Sequence, residues 1–102
     1  MAIYTITFSW LGKSEIHTFQ CPDDLNLLDA AEENGHDWLY GNRYGGDAEA
    51  LARLVSGKVD QSDQGSLDDY HLDYGYILSD VAYPRSDCML VVGVKSEFDY
   101  PW

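Results

Sequence analysis

A chain of 102 residues with a formal net charge of −12 is long enough for one modest core and is strongly acidic. Its 45% hydrophobic content predicts a folded chain rather than a disordered one, and we expect residues 1–102 to form a single domain. The excess of 18 Asp and Glu over 6 Lys and Arg disfavours nucleic-acid and anionic-lipid partners and favours a protein partner with a basic surface. An equally simple explanation is that the negative charge only keeps the protein soluble.

Other classes of protein are disfavoured by what the sequence lacks. The N-terminal residues are neither basic nor followed by a long apolar run, so we expect no signal peptide and no membrane insertion. Two cysteines, Cys21 and Cys88, fit free thiols in a reducing compartment, and the expected location is the cytoplasm. No nucleophile elbow, HExxH or CxxC motif occurs, so we predict no enzymatic activity and no catalytic residue.

Apolar and polar residues alternate over residues 4–10, which predicts a half-buried strand. A turn at Gly12 should return the chain into a second strand over residues 15–20. His17 lies in this second strand, and we expect it to be solvated because no other histidine or cysteine is near in sequence.

A helix is predicted next. Leu27, Leu28 and Ala31 have the spacing of a buried helical face. Asp23 or Asp24 is expected to cap the N-terminus, where a carboxylate also suits the helix dipole.

The second half of the chain reads as short elements joined by loops. We expect an irregular loop, then a helical turn at residues 48–50 leading into a strand at 51–56. The polar residues 59–66 predict a loop, and Pro84 predicts a turn. A short helix over 67–72 and strands at 76–78 and 89–94 complete the pattern.

Several segments together resemble the plant-type [2Fe–2S] ferredoxin family. The matching text is CPDD at 21–24, LLDAAEENG at 27–35, VSGKVDQSDQ at 55–64, LDD at 67–69 and VAYPRSDC at 81–88. The resemblance implies an α+β fold of the β-grasp type, with a mixed sheet and one main helix packed across it. The pattern of elements alone would give only a mixed sheet of the α+β class.

The same resemblance locates the family's cluster ligands, which are cysteines spaced C-x4-C-x2-C with a distant fourth. In this chain the four positions are occupied by Asn42, Asp47, Ala50 and Asp80. Each iron needs soft thiolate ligands, whereas these residues offer an amide, two carboxylates and a methyl group. Cys21 and Cys88 fall where the family does not ligate. The resemblance therefore implies a ferredoxin-like protein with no cluster, no other cofactor and no electron transfer.

A docking surface is the first functional hypothesis. Ferredoxins are recognised largely through acidic surfaces, and the resemblance carries these positions over to Asp29, Glu32 and Glu33 on the first helix and to Asp68 and Asp69 on the second. Tyr74 and Tyr76 are candidate anchors because tyrosine is favoured at interfaces. Ser66 stands where the family usually has an aromatic residue, which argues against binding the family's NADP reductase. We expect a regulatory or scaffolding partner related to ferredoxin or a photosynthetic assembly.

A divalent-metal or small-ligand site in the former cluster pocket is the alternative. Asn42, Asp47 and Asp80 supply oxygen atoms that suit calcium, magnesium or manganese, and Glu49 adds another. Three ligands fall short of the six or more oxygens that calcium requires. The simpler interpretation is that Asp47 caps a helix and that Asp80 is exposed. Trp38, Tyr40 and Leu51 would then fill the space that the cluster occupies in the family.

Overall fold

The computed structural model describes residues 1–36, 38, 51–65 and 67–94. The predicted site residues Asn42, Asp47, Glu49 and Ala50 lie outside the described residues, as do Tyr40 and Ser66. The elements, in chain order, are β1 (Ile3–Trp10), β2 (His17–Pro22), α1 (Leu27–Glu33), β3 (Leu51–Ser56), β4 (Val59–Asp60), α2 (Asp69–Asp73), β5 (Tyr76–Leu78), β6 (Tyr83–Pro84) and β7 (Cys88–Val92).

Five of these strands form one mixed sheet in the order β2-β1-β7-β3-β5. β1 and β7 are parallel, and the other neighbouring pairs are antiparallel. The buried face of α1, which carries Leu27, Leu28, Ala30 and Ala31, joins the same core cluster as the inward side chains of β1, β2 and β7. This mixed sheet with a helix packed against it confirms the predicted β-grasp fold.

The alternation in β1 sets which side chains enter the core. Ile6 and Phe8 are buried, whereas Thr5 and Thr7 point to the other face of the sheet. Phe19 on β2 makes an edge-on contact with Phe8, with 5.9 Å between ring centroids. An aromatic pair therefore lies at the centre of the core, beneath α1.

The N-terminus of α1 differs from the prediction. Its cap is Asn26, whose Oδ1 accepts a hydrogen bond of 2.8 Å from the amide of Asp29. Asp23 lies too early in the chain for this role, and its carboxylate accepts instead from the amide of Ala2 at 3.3 Å. The expectation of an Asp23 or Asp24 cap was wrong, because the chain after Pro22 first makes a turn, with the Leu25 amide donating to the Pro22 carbonyl.

Part of the predicted polar loop is a strand. β4 pairs with β6 in a separate two-stranded sheet, with Val59 opposite Pro84 and Asp60 opposite Tyr83. Pro84, the last residue of β6, fits because both strands of this two-stranded sheet are edge strands, where no central ladder bond is lost. The sequence predicted a loop at 59–66 and a turn at Pro84, and it did not indicate this strand pair. The paired residues are 23 to 25 positions apart, and so short a segment leaves no local signal of such pairing.

Gly57 provides a test of the path between β3 and β4. It has φ of +98°, and a Cβ there would collide with the carbonyl oxygen of Asp87, whereas Gly12 has φ of +79° and open space around it. We expect Gly12→Ala to cost about 1–2 kcal/mol of unfolding free energy from backbone strain alone. Gly57→Ala adds a clash with main chain, so we expect about 2–5 kcal/mol, measured by denaturant unfolding. Equal losses in the two variants would show that the close approach to Asp87 is not a constraint.

Candidate functional site

The described part of the former cluster region is the turn between β5 and β6, which contains Asp80. Asp80 is 3% exposed, and the neighbouring Ser79 is 2% exposed. The amide of Val81 donates to the carbonyl of Leu78 at 3.1 Å and closes the turn. The interpretation of Asp80 as an exposed residue was therefore wrong: the turn folds inward and lies against the first turn of α1.

Backbone hydrogen bonds tie this turn to α1. The first amides of a helix have no partner within the helix. Here the amide of Leu27 donates to the carbonyl of Ala82 at 2.9 Å, and the amide of Leu28 donates to the carbonyl of Ser79 at 3.1 Å. These two bonds flank Asp80 on both sides, so main-chain hydrogen bonds to α1 help to fix the turn at this position.

An apolar cluster supports the same turn from the other side. Its buried members are Leu51, Leu67, Leu78, Val81 and Val94. Leu51 follows Ala50 directly in the chain and is paired with Leu78 across β3 and β5. This agrees with the expectation that Leu51 supplies apolar contacts near the former ligand positions.

Trp38 is the one residue between positions 37 and 50 that the structure describes. It is 3% exposed, and its ring meets Phe8 at 5.0 Å and Phe19 at 5.7 Å between centroids, both edge-on. The expectation that Trp38 adds apolar contacts is in agreement with this position. The chain leaving α1 is therefore held to the core by a large aromatic side chain.

Sequence reasoning missed a histidine pair beside this aromatic group. His17 stacks on Phe8 at 5.1 Å, and the ring of His36 lies 5.7 Å from that of His17. His17 is thus half-buried rather than fully solvated, although its Nε2 still lies 3.1 Å from an oxygen of Glu15. The two histidines are 19 positions apart in the chain, so no spacing motif could have revealed the pair.

Within residues 1–36, 38, 51–65 and 67–94, no three or more His, Cys, Asp or Glu side chains are arranged to hold a metal ion. Asp80 is the single described member of the proposed oxygen set, since Asn42 and Asp47 lie outside those ranges. The metal-site alternative stays a prediction.

Both cysteines are free, buried and located on strands of the sheet, Cys21 in β2 and Cys88 in β7. The Cys21 thiol donates to the carbonyl of Leu25 at 3.3 Å, and the Cys88 thiol donates to that of Ser86 at 3.3 Å. Burial, together with nearby Cys88 and Asp24, raises the pKa of Cys21 to about 12. Burial also raises the pKa of Cys88. These thiols are protonated at neutral pH and are not poised as thiolate ligands.

The predicted docking residues near α2 lie on an exposed helix. None of the five residues of α2 is buried, and Asp68 and Asp69 at its start are exposed. The Asp68 amide donates to Nδ1 of His71 at 3.0 Å, which holds the first turn. Tyr74 is 74% exposed, whereas Tyr76 is half-buried against the Leu51 cluster.

The acidic residues of α1 lie on the side away from the core. Glu32 and Glu33 are exposed. Asp29 is half-buried and accepts a hydrogen bond of 3.0 Å from the side chain of Asn26. Two of the three predicted α1 carboxylates are therefore fully presented to solvent, and Asp29 also supports the helix start.

A further acidic cleft was not among the predicted sites. It has a volume of about 380 Å³ and is lined by Asp23, Asp24, Asp60, Ser62, Asp63, Val81, Tyr83 and Arg85. A guanidinium nitrogen of Arg85 lies 3.5 Å from Asp60, leaving carboxylates in excess. The pKa of Asp60 is lowered mainly because its carboxylate accepts a hydrogen bond from the backbone amide of Ser62, and the charge of Arg85 lowers it further. Asp60 and Tyr83 meet here because β4 pairs with β6, which the sequence pattern did not indicate.

Comparison with known proteins identifies the family. The chain is 37% identical over 90 residues to a heterocyst ferredoxin of Microchaete diplosiphon, covering 88% of this chain and 91% of that protein. The chain belongs to the plant-type [2Fe–2S] ferredoxin family. It is also 38% identical over 74 residues to a chloroplastic ferredoxin, ferredoxin-6, of Zea mays, where the match covers 72% of this chain and 48% of that protein.

A solved structure shares the fold of this chain. The chain superimposes on pectocin M2 with a TM-score of 0.85 and 32% identity, covering 94% of this chain and 34% of that one. The chain thus spans about half of the maize ferredoxin and about a third of pectocin M2. No family model matches the chain. As a ferredoxin relative it is unusual in containing only two cysteines, fewer than the four ligands that the family's cluster requires.

Thiol reactivity tests the state of the two cysteines. Because burial raises both pKa values, the native protein should react with a thiol reagent at neutral pH much more slowly than the urea-unfolded protein, by about 100-fold or more. The neutral thiol is favoured in the folded state, so this contribution to stability is present below the unfolded pKa and is lost as the pH rises above about 9. Fast labelling of two thiols in the native protein would contradict the buried positions.

Proposed function

We propose that this ferredoxin relative is a protein-docking module without an iron–sulfur cluster, which binds a partner carrying a basic surface. The observation that carries the proposal is α2, a helix with no buried residue, which makes almost no contribution to the core. A helix that the core does not require is available to a partner. Carboxylates and large apolar side chains are both exposed on it and beside it.

The electrostatics favour a basic partner. Asp68, Asp69 and Asp73 are exposed on or next to α2, and the protein as a whole carries −12. Such a field raises the association rate with positively charged proteins and repels nucleic acid. The cleft near Arg85 adds carboxylates on another part of the surface, suited to a Lys or Arg side chain.

Large side chains on α2 and at its C-cap supply a contact that charge alone does not. Tyr70 is 61% exposed, Leu72 is 37% exposed and Tyr74 is 74% exposed. Exposed tyrosines next to carboxylates are typical of an interface centre with a charged rim. Tyr74 is the better anchor of the two predicted tyrosines, because Tyr76 is partly committed to the core.

We propose no role in electron transfer. The four ligand positions hold no cysteine, and the two thiols elsewhere are buried, protonated and in strands. Reductase binding is also disfavoured, since Ser66 replaces the family's usual aromatic residue. We propose instead a regulatory or scaffolding function in the cytoplasm, where free thiols are stable, and no enzymatic activity.

The test is kinetic. The partner is captured from the source cells at low salt, identified by mass spectrometry and immobilised. Asp68→Asn with Asp69→Asn removes two negative charges, while asparagine retains the helix cap. We expect the association rate to fall several-fold with little change in dissociation rate, because exposed charges act mainly on steering. Tyr74→Ala should instead raise the dissociation rate by about tenfold, the effect of an interface anchor.

The matched control is Ser14→Lys with Gln20→Lys. It changes the net charge by the same amount at exposed positions far along the chain from α2. It should lower the association rate less than the Asp68 and Asp69 variant. If the two variants are equal, or if the affinity does not fall with added salt, the acidic surface serves solubility and the docking proposal is wrong.

A further inference from the structure

A shallow groove crosses the face of the main sheet that points away from α1. It has a volume of about 70 Å³, and none of the described residues that line it is charged. Phe8 and Leu90 are buried on the α1 side of the sheet, so their neighbours in β1 and β7 point to the groove side. The side chains on the groove side are Thr7, Ser9, Ile16, Val55, Met89 and Val91.

Three aliphatic side chains of the groove are exposed. Ile16 is 66% exposed, Val55 is 56% exposed and Met89 is 45% exposed. Single exposed apolar residues are ordinary, but a group of them around one groove marks an interaction surface. The group offers only a small part of the roughly 800 Å² that each partner buries in a stable complex. A segment of the same chain needs less area, because its tether gives it a high effective concentration.

The chain leaves the described structure on this same face. Val94 is buried in the Leu51 cluster, and it continues into residues 95–102, which lie outside the described residues. Leu51 points to the opposite side of β3 from Ala52, which belongs to the core beneath α1. Val91 packs against the Leu51 cluster and also lines the groove. An apolar surface is therefore continuous from the point where the chain leaves to the groove.

The residues that follow Val94 have a matching pattern. Their sequence is KSEFDYPW, in which Phe98, Tyr100 and Trp102 alternate with polar residues and a proline. Period-two alternation predicts an extended segment with one aromatic side. Such a segment requires an apolar surface on which to bury that side.

We propose that residues 95–102 fold back along the groove and cover it with their aromatic side. The occupant is a segment of this chain because the groove is small, is continuous with the cluster that contains Val94 and lies within reach of the segment. A separate protein or a second copy would have to be held by the same small area without a tether. The proposal does not rest on the docking surface assigned to α2.

The lengths are compatible with this path. Gly93 has φ of +75°, so the backbone turns out of the strand direction directly before Val94. Met89 lies five residues before Val94, which is about 17 Å at about 3.3 Å per residue. Tyr100 lies six residues after Val94, and an extended segment of that length reaches about 20 Å. A segment that runs back beside β7 therefore brings the Tyr100 ring to Met89 without being fully stretched.

The charges also fit. In an extended segment Glu97 and Asp99 lie on the side opposite the aromatic rings, where they stay in water while the rings meet an uncharged groove. The exposed carboxylate of Asp87 accepts a hydrogen bond of 2.8 Å from the amide of Thr5. It lies towards the other end of β1 and is not among the residues that line the groove.

Met89 is a built-in probe of this cover. Hydrogen peroxide converts an accessible methionine to its sulfoxide, and burial slows the reaction. The rate at Met89 in the full chain is measured by mass spectrometry against a methionine peptide added to the same solution. Phe98→Ser with Tyr100→Ser removes two of the aromatic rings, so we expect Met89 to be oxidised about threefold faster than in the wild type, or more. The wild-type rate should not depend on protein concentration.

The matched control is Glu97→Ser with Asp99→Ser. It changes the same segment by the same number of residues, but on the other side of the alternation. Met89 should be oxidised in this variant as slowly as in the wild type. Thiol labelling of Cys21 and Cys88, which are buried, is followed in every variant and should stay slow if the fold is intact.

Three results would overturn the proposal. Equal oxidation rates in the wild type and the Phe98 and Tyr100 variant, both folded, would show that the segment does not cover Met89. Protection that increases with protein concentration would assign the groove to a second copy of the chain. Equal loss of protection in the Glu97 and Asp99 variant would show that the aromatic side is not what binds.

Discussion

The structure depends on how the first turn of α1 meets the turn between β5 and β6. Two helix amides, of Leu27 and Leu28, donate to the carbonyls of Ala82 and Ser79, and so bracket Asp80. These bonds satisfy donors that the helix cannot satisfy itself. The buried apolar cluster of Leu51, Leu67, Leu78, Val81 and Val94 lies against the same turn. Backbone hydrogen bonds and aliphatic contacts thus hold the turn that contains Asp80, the residue that the family resemblance matches to the fourth ligand. No helix in the described part of the chain has the length and apolar character to span a bilayer.

Charge is distributed over the surface by element. Exposed carboxylates lie on α1, on and beside α2, and around the β4–β6 pair. The proposed docking surface follows from this distribution, since it is acidic and centred on α2.

The fold was predictable because apolar residues recur with clear periodicity in the helix and the long strands, and because the sequence motifs shared with the ferredoxin family are specific. β1 and the buried face of α1 follow from alternation and from Leu27, Leu28 and Ala31. Asn26 was overlooked as the cap because Asp23 and Asp24 look equally good in sequence. The β4–β6 pair, the acidic cleft and the contact between His17 and His36 bring together residues 19 to 62 positions apart, and local patterns carry no information on such contacts. The burial of Asp80 likewise depends on tertiary packing rather than on its neighbours in the chain.

The central claim is that a ferredoxin fold is maintained here without an iron–sulfur cluster. The most direct measurement is anaerobic reconstitution of the purified protein with iron and sulfide, followed by visible absorption spectroscopy and iron analysis. Since Asn42, Asp47, Ala50 and Asp80 provide no thiolate, the protein should stay colourless and hold no stoichiometric iron. A visible spectrum of the [2Fe–2S] type, with iron bound in stoichiometric amount, would contradict the claim.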